Sequence, residues 1–117
     1  MSENKKIVQI YLDGFRKSDH EQILSCLTEE IVWEMPGVFH LVGKAAFDKE
    51  IENDAFTGKP AIREIRMVEE NDVVIAEGAV QAKKRDGAPF NAVFCDVFLM
   101  KRGKIDRLTT YLMEVKS

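Results

Sequence analysis

Apolar side chains recur at three- and four-residue spacings near the start of the chain, at Ile7, Val8, Tyr11, Leu12 and Phe15. This spacing predicts an amphipathic helix from Glu3 to Lys17. Asp19 is a good N-cap with Gln22 three residues later, which predicts a short second helix. A third helical pattern runs from Lys44 to about Asn53.

The hydrophobic period changes from helical to extended after Pro60. The predicted strands are Ile31 to Met35, Ile62 to Glu69, Val73 to Lys83, Phe90 to Lys101 and Lys104 to Val115. Pro36-Gly37 ends the first of these strands, and Val38 to Val42 then forms an apolar connector. We therefore expect one α+β domain over residues 1–117, in which a cone-shaped, curved, mixed or antiparallel sheet wraps around three N-terminal helices and leaves an internal pocket.

A carboxylate interrupts the apolar strand from Phe90 to Lys101. Because side chains alternate along a strand, Asp96 shares a face with Phe94 and Phe98. An ionised carboxylate is costly there unless it is paired, hydrogen-bonded or protonated, so Asp96 is the first candidate functional residue. The alternative is a structural carboxylate paired with an arginine, for which the candidates are Arg63, Arg66 and Arg107.

Composition and charge exclude several classes of function. The 117 residues carry a net charge of -3, which gives no support for binding to nucleic acid, and no stretch is long enough to span a membrane. Cys26 and Cys95 lie in apolar patterns, which favours reduced thiols in a cytoplasmic protein. The sequence shows neither metal-ligand spacing nor a glycine-rich phosphate loop, so we expect no metal and no cofactor.

Three short segments carry a family resemblance: Val8-Gln9-Ile10-Tyr11, Ile31-Val32-Trp33-Glu34-Met35-Pro36-Gly37, and Asp96-Val97-Phe98 followed by Gly103-Lys104-Ile105. In this order they resemble the nuclear transport factor 2-like superfamily, and within it the SnoaL-like polyketide cyclases and ketosteroid isomerases. The resemblance covers Ile7 to Glu114 and implies the α+β cone and a homodimer. It leaves function open, because this superfamily includes enzymes, binding modules and scaffolds.

The resemblance also implies roles for individual residues. In ketosteroid isomerases a helix tyrosine and a strand aspartic acid donate hydrogen bonds to the substrate oxyanion, and Tyr11 and Asp96 occupy those positions. Without the resemblance, the pattern favours Tyr11 as a core aromatic whose hydroxyl reaches a buried partner. The isomerases' proton-transferring aspartate corresponds to Met35, which cannot accept a proton, and Glu34 should face away from Met35. His40 could act as a base over the pocket mouth, or be an exposed loop histidine.

An apolar pocket is expected near Tyr11 and Asp96. The side chains expected to line it, or else to close the core, are Phe15, Trp33, Met35, Phe39, Phe56, Phe94 and Phe98. Three functions fit: an isomerase, cyclase or lyase acting on a small apolar carbonyl compound, such as a polyketide- or steroid-like molecule; a non-catalytic binding module; or a structural protein with a filled pocket. The apolar set on the other face of the Asp96 strand predicts a homodimer through the outer sheet face, and consists of Val93, Cys95, Val97 and Leu99.

Overall fold

Three helices and six strands are seen in the computed structural model of the protein, which describes residues 2–116. The helices are α1 (Glu3–Lys17), α2 (His20–Ser25) and α3 (Lys44–Ile51). The strands are β1 (Leu27–Met35), β2 (Phe39–Val42), β3 (Phe56–Glu70), β4 (Val73–Lys84), β5 (Pro89–Lys101) and β6 (Lys104–Glu114).

The six strands form one curved, open sheet in the order β2-β1-β6-β5-β4-β3. β1 and β6 are parallel, and the other neighbouring strands are antiparallel, so the sheet is mixed. The predicted α+β class, with three helices and a curved sheet, is confirmed.

Local capping explains where the first two helices begin. The Ser2 side chain accepts a hydrogen bond from the backbone N–H of Lys5, and the Asp19 side chain accepts one from Gln22. These bonds satisfy N–H groups that have no partner within the helix. α1 ends at Ser18, which has a left-handed conformation with φ of 55°. The predicted bounds of α1 and the predicted cap of α2 are therefore confirmed.

Three segments differ from the sequence prediction, and the first is β1, which begins at Leu27 rather than Ile31. Val38 to Val42 was predicted to be an apolar connector, but Phe39–Val42 is a strand, β2. This strand pairs antiparallel with β1. Pro36-Gly37 is the turn of this hairpin, closed by a 2.8 Å hydrogen bond from Val38 N to Met35 O. β3 begins at Phe56 rather than Ile62, and register shifts along it interrupt the alternation of apolar residues that would have revealed it.

Small residues on the inner face of β4 make room for large rings of β5. A Cβ atom added at Gly78 would lie 2.6 Å from Phe94 Cζ and 2.5 Å from the backbone oxygen of Arg63. Distances this short are not tolerated by real side chains. Glycine at this position therefore lets the Phe94 ring lie flat against the inner face of the sheet.

The core lies between the helices and this inner face. Its largest fully buried side chains include Phe47 of α3, Phe98 of β5 and Leu108 of β6. Both cysteines are free, with Cys26 buried and Cys95 partly exposed. The cytoplasmic location that was inferred from them stays a prediction. Across residues 2–116, the helices are all too short or too polar to cross a membrane.

Candidate functional site

Asp96 lies on the buried face of β5, as the alternation of side chains predicted. It is 7% exposed, between Phe94 and Phe98 on the same face. Burial raises the pKa of its carboxyl to about 7, and an interaction with the Thr110 hydroxyl opposes this rise. Oδ1 is buried and has no hydrogen-bond partner in the described part of the chain. Asp96 is therefore substantially protonated near neutral pH, with one oxygen unused.

The arginines proposed as partners of Asp96 lie elsewhere. Arg66 Nε is 2.9 Å from Glu77 Oε1, and Arg107 Nη2 donates to Glu34 Oε1 over 3.1 Å. Arg63 is exposed. The structure therefore does not support the alternative in which Asp96 is half of a buried ion pair.

Tyr11 lies close to Asp96, on the buried face of α1. It is 2% exposed, and its ring packs edge-on against Phe98 and Phe15, with centroid distances of 5.4 and 5.1 Å. Its pKa is raised well above the usual value, first by burial and then by the charge of Asp96. Tyr11 and Asp96, for which the resemblance implied donor roles, are thus both buried and near enough for the charge of Asp96 to influence Tyr11.

Thr110 is a site residue that the sequence analysis missed. It is buried, lies directly opposite Asp96 on β6, and accepts a 3.0 Å hydrogen bond from Trp33 Nε1. The turn at Arg102-Gly103 could have suggested the pairing of β5 with β6. A register shift between Leu99 and Met100, however, moves the partner of Asp96 by one residue. Simple counting from the turn would have placed Thr109 there instead.

A cavity of about 780 Å³ opens at one end of the molecule. Four of the side chains expected in the pocket line it, namely Phe15, Met35, Phe39 and Phe56. Further apolar walls come from Ile62, Val80, Ala82, Phe90 and Leu112, and polar lining from Ser18, Glu50, Glu52, Asn53, Asp54 and Arg85. The polar residues of the segment after α3 carried no periodic signal and were not predicted.

Tyr11 and Asp96 do not line this cavity, because aromatic rings lie between. Trp33 packs edge-on against Phe39 at 5.0 Å and Phe15 at 6.1 Å, and it stacks on Phe47 at 4.4 Å. We call Phe15, Trp33 and Phe39 the aromatic partition. Of the residues near which an apolar pocket was expected, Met35 therefore lines this cavity, whereas Tyr11, Trp33 and Asp96 do not.

Two other rings expected to line the pocket also lie outside the large cavity. Phe98 is fully buried in the core, and Phe94 borders a separate hollow of about 630 Å³ near the end of β6. Both rings still surround Asp96 on its own face. Their contribution is thus to the apolar environment of the carboxyl rather than to the cavity wall.

The structure does not bring His40 to the cavity. His40 pairs with Glu34 in the β1–β2 register, and its Nδ1 lies 3.9 Å from Glu34 Oε1. Glu34 also binds Arg107, so both residues lie on the outer face, opposite to Met35 and Phe39. His40 was expected to reach the pocket because it was assigned to a flexible connector. Because His40 lies in β2, the alternation of side chains along the strand directs its ring away from the cavity.

His20 joins α2 to α3 beside the cavity mouth. Its Nδ1 lies 2.5 Å from Asp48 Oδ1, and its Nε2 lies 2.9 Å from Glu52 Oε2. Hydrogen bonds to Asp48 and then to Glu52 raise the pKa of His20. His20 in its protonated form therefore helps to hold Glu52, which lines the cavity, in position.

Comparison with known proteins identifies the family. The profile of the SnoaL-like domain matches residues 8–108, so this chain belongs to the SnoaL-like domain family. No curated protein matches the chain at a significant level.

Solved structures share the fold at low sequence identity. An LEH-like epoxide hydrolase from M. tuberculosis has a TM-score of 0.83 and 16% identity, over 95% of this chain and 83% of that one. TerC, co-crystallised with polyporic acid, has a TM-score of 0.86 and 21% identity, over 96% and 92%. A candidate polyketide cyclase from Xanthomonas campestris has a TM-score of 0.85 and 22% identity, over 93% and 89%. These likenesses establish the fold, which is shared by proteins of different activities.

Proposed function

We propose that this protein binds a small, largely apolar carbonyl compound, and that Tyr11 and Asp96 donate hydrogen bonds to its oxygen. The observation that carries this proposal is the unpartnered Oδ1 of Asp96, because a buried polar atom without a partner is costly and rare. Two neutral donors in a water-poor site would stabilise an enolate as it forms, and since Met35 cannot accept a proton, the α-proton would pass to a basic group of the substrate itself. The reaction class is then an isomerisation, cyclisation or lyase step.

The ligand enters through the cavity in this proposal. A volume of about 780 Å³ is in the usual range of small-molecule sites, and phenylalanine rings form much of its wall. Phe15 and Phe39 line the cavity and also belong to the aromatic partition. Rotation of these partly buried rings would connect the cavity to Tyr11 and Asp96. The co-crystallisation of TerC with polyporic acid supports a small organic ligand for a protein of this fold.

Binding of 6-propionyl-2-(dimethylamino)naphthalene, a fluorescent aromatic ketone, tests the proposal. We expect a saturable blue shift of its emission, because the probe leaves water for an apolar wall. Tyr11→Phe and Asp96→Asn should each weaken binding by roughly tenfold, since each removes or alters one donor to the carbonyl oxygen. Equal binding by wild type and both variants would refute the assignment of the donors.

A matched pair of variants separates the cavity from the protein surface. Ala82→Phe adds a ring inside the cavity and should abolish saturable binding. Gln81→Phe adds the same ring one residue earlier on β4, on the other face, and should leave binding unchanged. If both variants bind the ketone like wild type, the ligand does not occupy this cavity.

A non-catalytic binding module is the second candidate function. It is favoured by Met35, which lines the cavity where the isomerases carry their proton-transferring carboxylate. Deuterium exchange at the α-carbon of the bound ketone, followed by proton NMR in D₂O, distinguishes the two. Exchange that requires Tyr11 and Asp96 indicates enolate chemistry, whereas saturable binding without exchange indicates a binding module.

We also propose that the protein is a homodimer through the outer sheet face. The exposed apolar side chains on this face include Val93, Leu99, Tyr111 and Met113, which are 43%, 41%, 54% and 69% exposed. The ion pairs Arg66–Glu77 and Arg107–Glu34 balance the charge around them. A second copy of the same neutral, apolar surface is a complementary partner.

A further inference from the structure

Thr110 is a buried hydroxyl group between Trp33 and Asp96. The Trp33 indole donates to Thr110 Oγ1 over 3.0 Å, and the backbone register places Thr110 directly opposite Asp96. An indole nitrogen has no acceptor capacity, so it cannot receive the hydroxyl hydrogen of Thr110. That hydrogen is left for another acceptor, and the carboxyl of Asp96, buried on the same face directly across the strand pair, is the acceptor that the register places beside it.

We propose that Thr110, held by Trp33, is a positioning residue that places the acid proton of Asp96 on Oδ1. In this proposal the Thr110 hydroxyl donates to Oδ2, because Oδ1 has no partner and Thr110 lies directly opposite Asp96. An oxygen that accepts this bond acts as the carbonyl oxygen of the neutral acid, so the proton resides on the other oxygen.

Counting hydrogen bonds favours this arrangement over the reverse one. If the proton were on Oδ2 and donated to Thr110, the Thr110 hydrogen and the Oδ1 acceptor would both lack partners. With the proton on Oδ1, only the Oδ1 hydrogen lacks a partner, and fewer buried groups are unsatisfied. That single free hydrogen is suited to a ligand atom that accepts a hydrogen bond.

The other groups around Asp96 do not replace Thr110 in this role. Burial, and after it the charge of Asp96, raises the pKa of Tyr11 on α1 and of Cys95 on the other face of β5, so both are neutral near pH 7. The β4 neighbour in register is Ala76, which has no polar side chain. Burial and Thr110 are thus the two influences on Asp96 protonation.

Carbon-13 NMR of the Asp96 side-chain carboxyl, recorded across a pH titration, tests this inference. In wild type we expect a midpoint at about 7. Thr110→Val removes the hydroxyl but keeps the shape, and should raise the midpoint by roughly one pH unit, because a hydrogen bond to the charged form is lost. Thr110→Ser keeps the hydroxyl and should restore the wild-type midpoint.

Trp33→Phe provides a second, independent variant. It keeps an aromatic ring but removes the Nε1 donor, so Thr110 becomes a weaker donor and the midpoint should rise by less than in Thr110→Val. Wild-type midpoints in both Thr110→Val and Trp33→Phe, or equal shifts in Thr110→Val and Thr110→Ser, would overturn the inference. If Thr110→Val does not fold, the midpoint in Trp33→Phe decides.

The inference concerns the donor used in the proposed function, but its test requires no ligand. A raised midpoint in Thr110→Val without any ketone binding would support the role of Thr110 and count against the proposed function. Ketone binding together with an unchanged midpoint in Thr110→Val would support the proposed function and count against the role of Thr110. The two proposals can therefore fail separately.

Discussion

Burial of the Asp96 carboxyl affects stability as well as chemistry. The unfolded chain exposes this carboxyl to water, where its pKa is near 3.8, whereas burial in the folded protein raises the pKa to about 7. Between pH 3.8 and about pH 7, Asp96 is mostly ionised in the unfolded chain but mostly protonated in the folded protein. The contribution of protonated Asp96 to stability is therefore fully present below the unfolded value and is lost as pH rises through the folded value.

Asp96→Asn should stabilise the protein relative to wild type as pH rises. The amide does not titrate, so the difference in unfolding free energy should change in favour of the variant by up to roughly 4 kcal/mol between about pH 4 and about pH 8. Urea unfolding at several pH values measures this difference. Asp86→Asn, in an exposed turn, is the matched control. An Asp96→Asn profile parallel to that of wild type would contradict the expectation.

The sequence predicted the face of Asp96 but not all of its neighbours. Alternation with Phe94 and Phe98 was sufficient to place Asp96 on the buried face, because β5 is regular around that residue. Thr110 was missed because one register shift near the turn determines which residue of β6 lies opposite. Such shifts depend on backbone geometry that the residue pattern does not encode.

At the scale of elements, two short helices are joined by one histidine. α2 has six residues and α3 has eight, and both are short for independent helices. His20 links them through hydrogen bonds to Asp48 and Glu52. These bonds favour charged His20 and raise its pKa, so the link is strongest when His20 is protonated.

His20→Gln should destabilise the protein more at about pH 6 than at about pH 9. The stabilisation by charged His20 is fully present below the unfolded pKa of about 6.5 and is lost as pH rises through the higher folded pKa. Thermal unfolding at the two pH values measures the difference between variant and wild type. His40→Gln, at the other histidine, is the matched control. An equal loss at both pH values would show that the charge of His20 does not contribute.

Elements with a regular apolar pattern were predicted from the sequence. An element that forms only by pairing with a neighbouring strand was not. The apolar period and cap residues were sufficient for α1, whose predicted bounds agree with the structure. β2 was missed because its four residues pair with β1 through a tight turn, and the period of so short a segment is ambiguous. The misassignment of β2 also produced the wrong expectation for His40, because a loop residue can turn in any direction.

At the scale of the whole molecule, the outer sheet face determines the expected assembly. Val93 and Met113 lie opposite each other on β5 and β6 and are both exposed. Alternation along β5 predicted Val93, but Met113 entered the set only with the observed pairing of strands. The helices cover the other face of the sheet, so this face is free to meet a second copy.

Val93→Lys should prevent the proposed homodimer from forming. A lysine within the apolar surface proposed for the contact would lose hydration on association, which should weaken association by at least about tenfold. Sedimentation velocity at micromolar concentration measures the change. Ile10→Lys, at an exposed apolar residue on α1, is the matched control. A wild-type protein that sediments as a monomer would contradict the proposed dimer.

The position of β6 has a consequence for folding. This strand is the last in the described chain, yet it lies in the middle of the sheet and pairs with β1 at contacts such as Trp33↔Leu108. During synthesis, the edges of β1 and β5 stay open until residues 104–114 leave the ribosome. Such long-range pairing also slows folding. Misassembly is therefore most costly before β6 has paired with β1 and β5, the step that also completes the environment of Asp96.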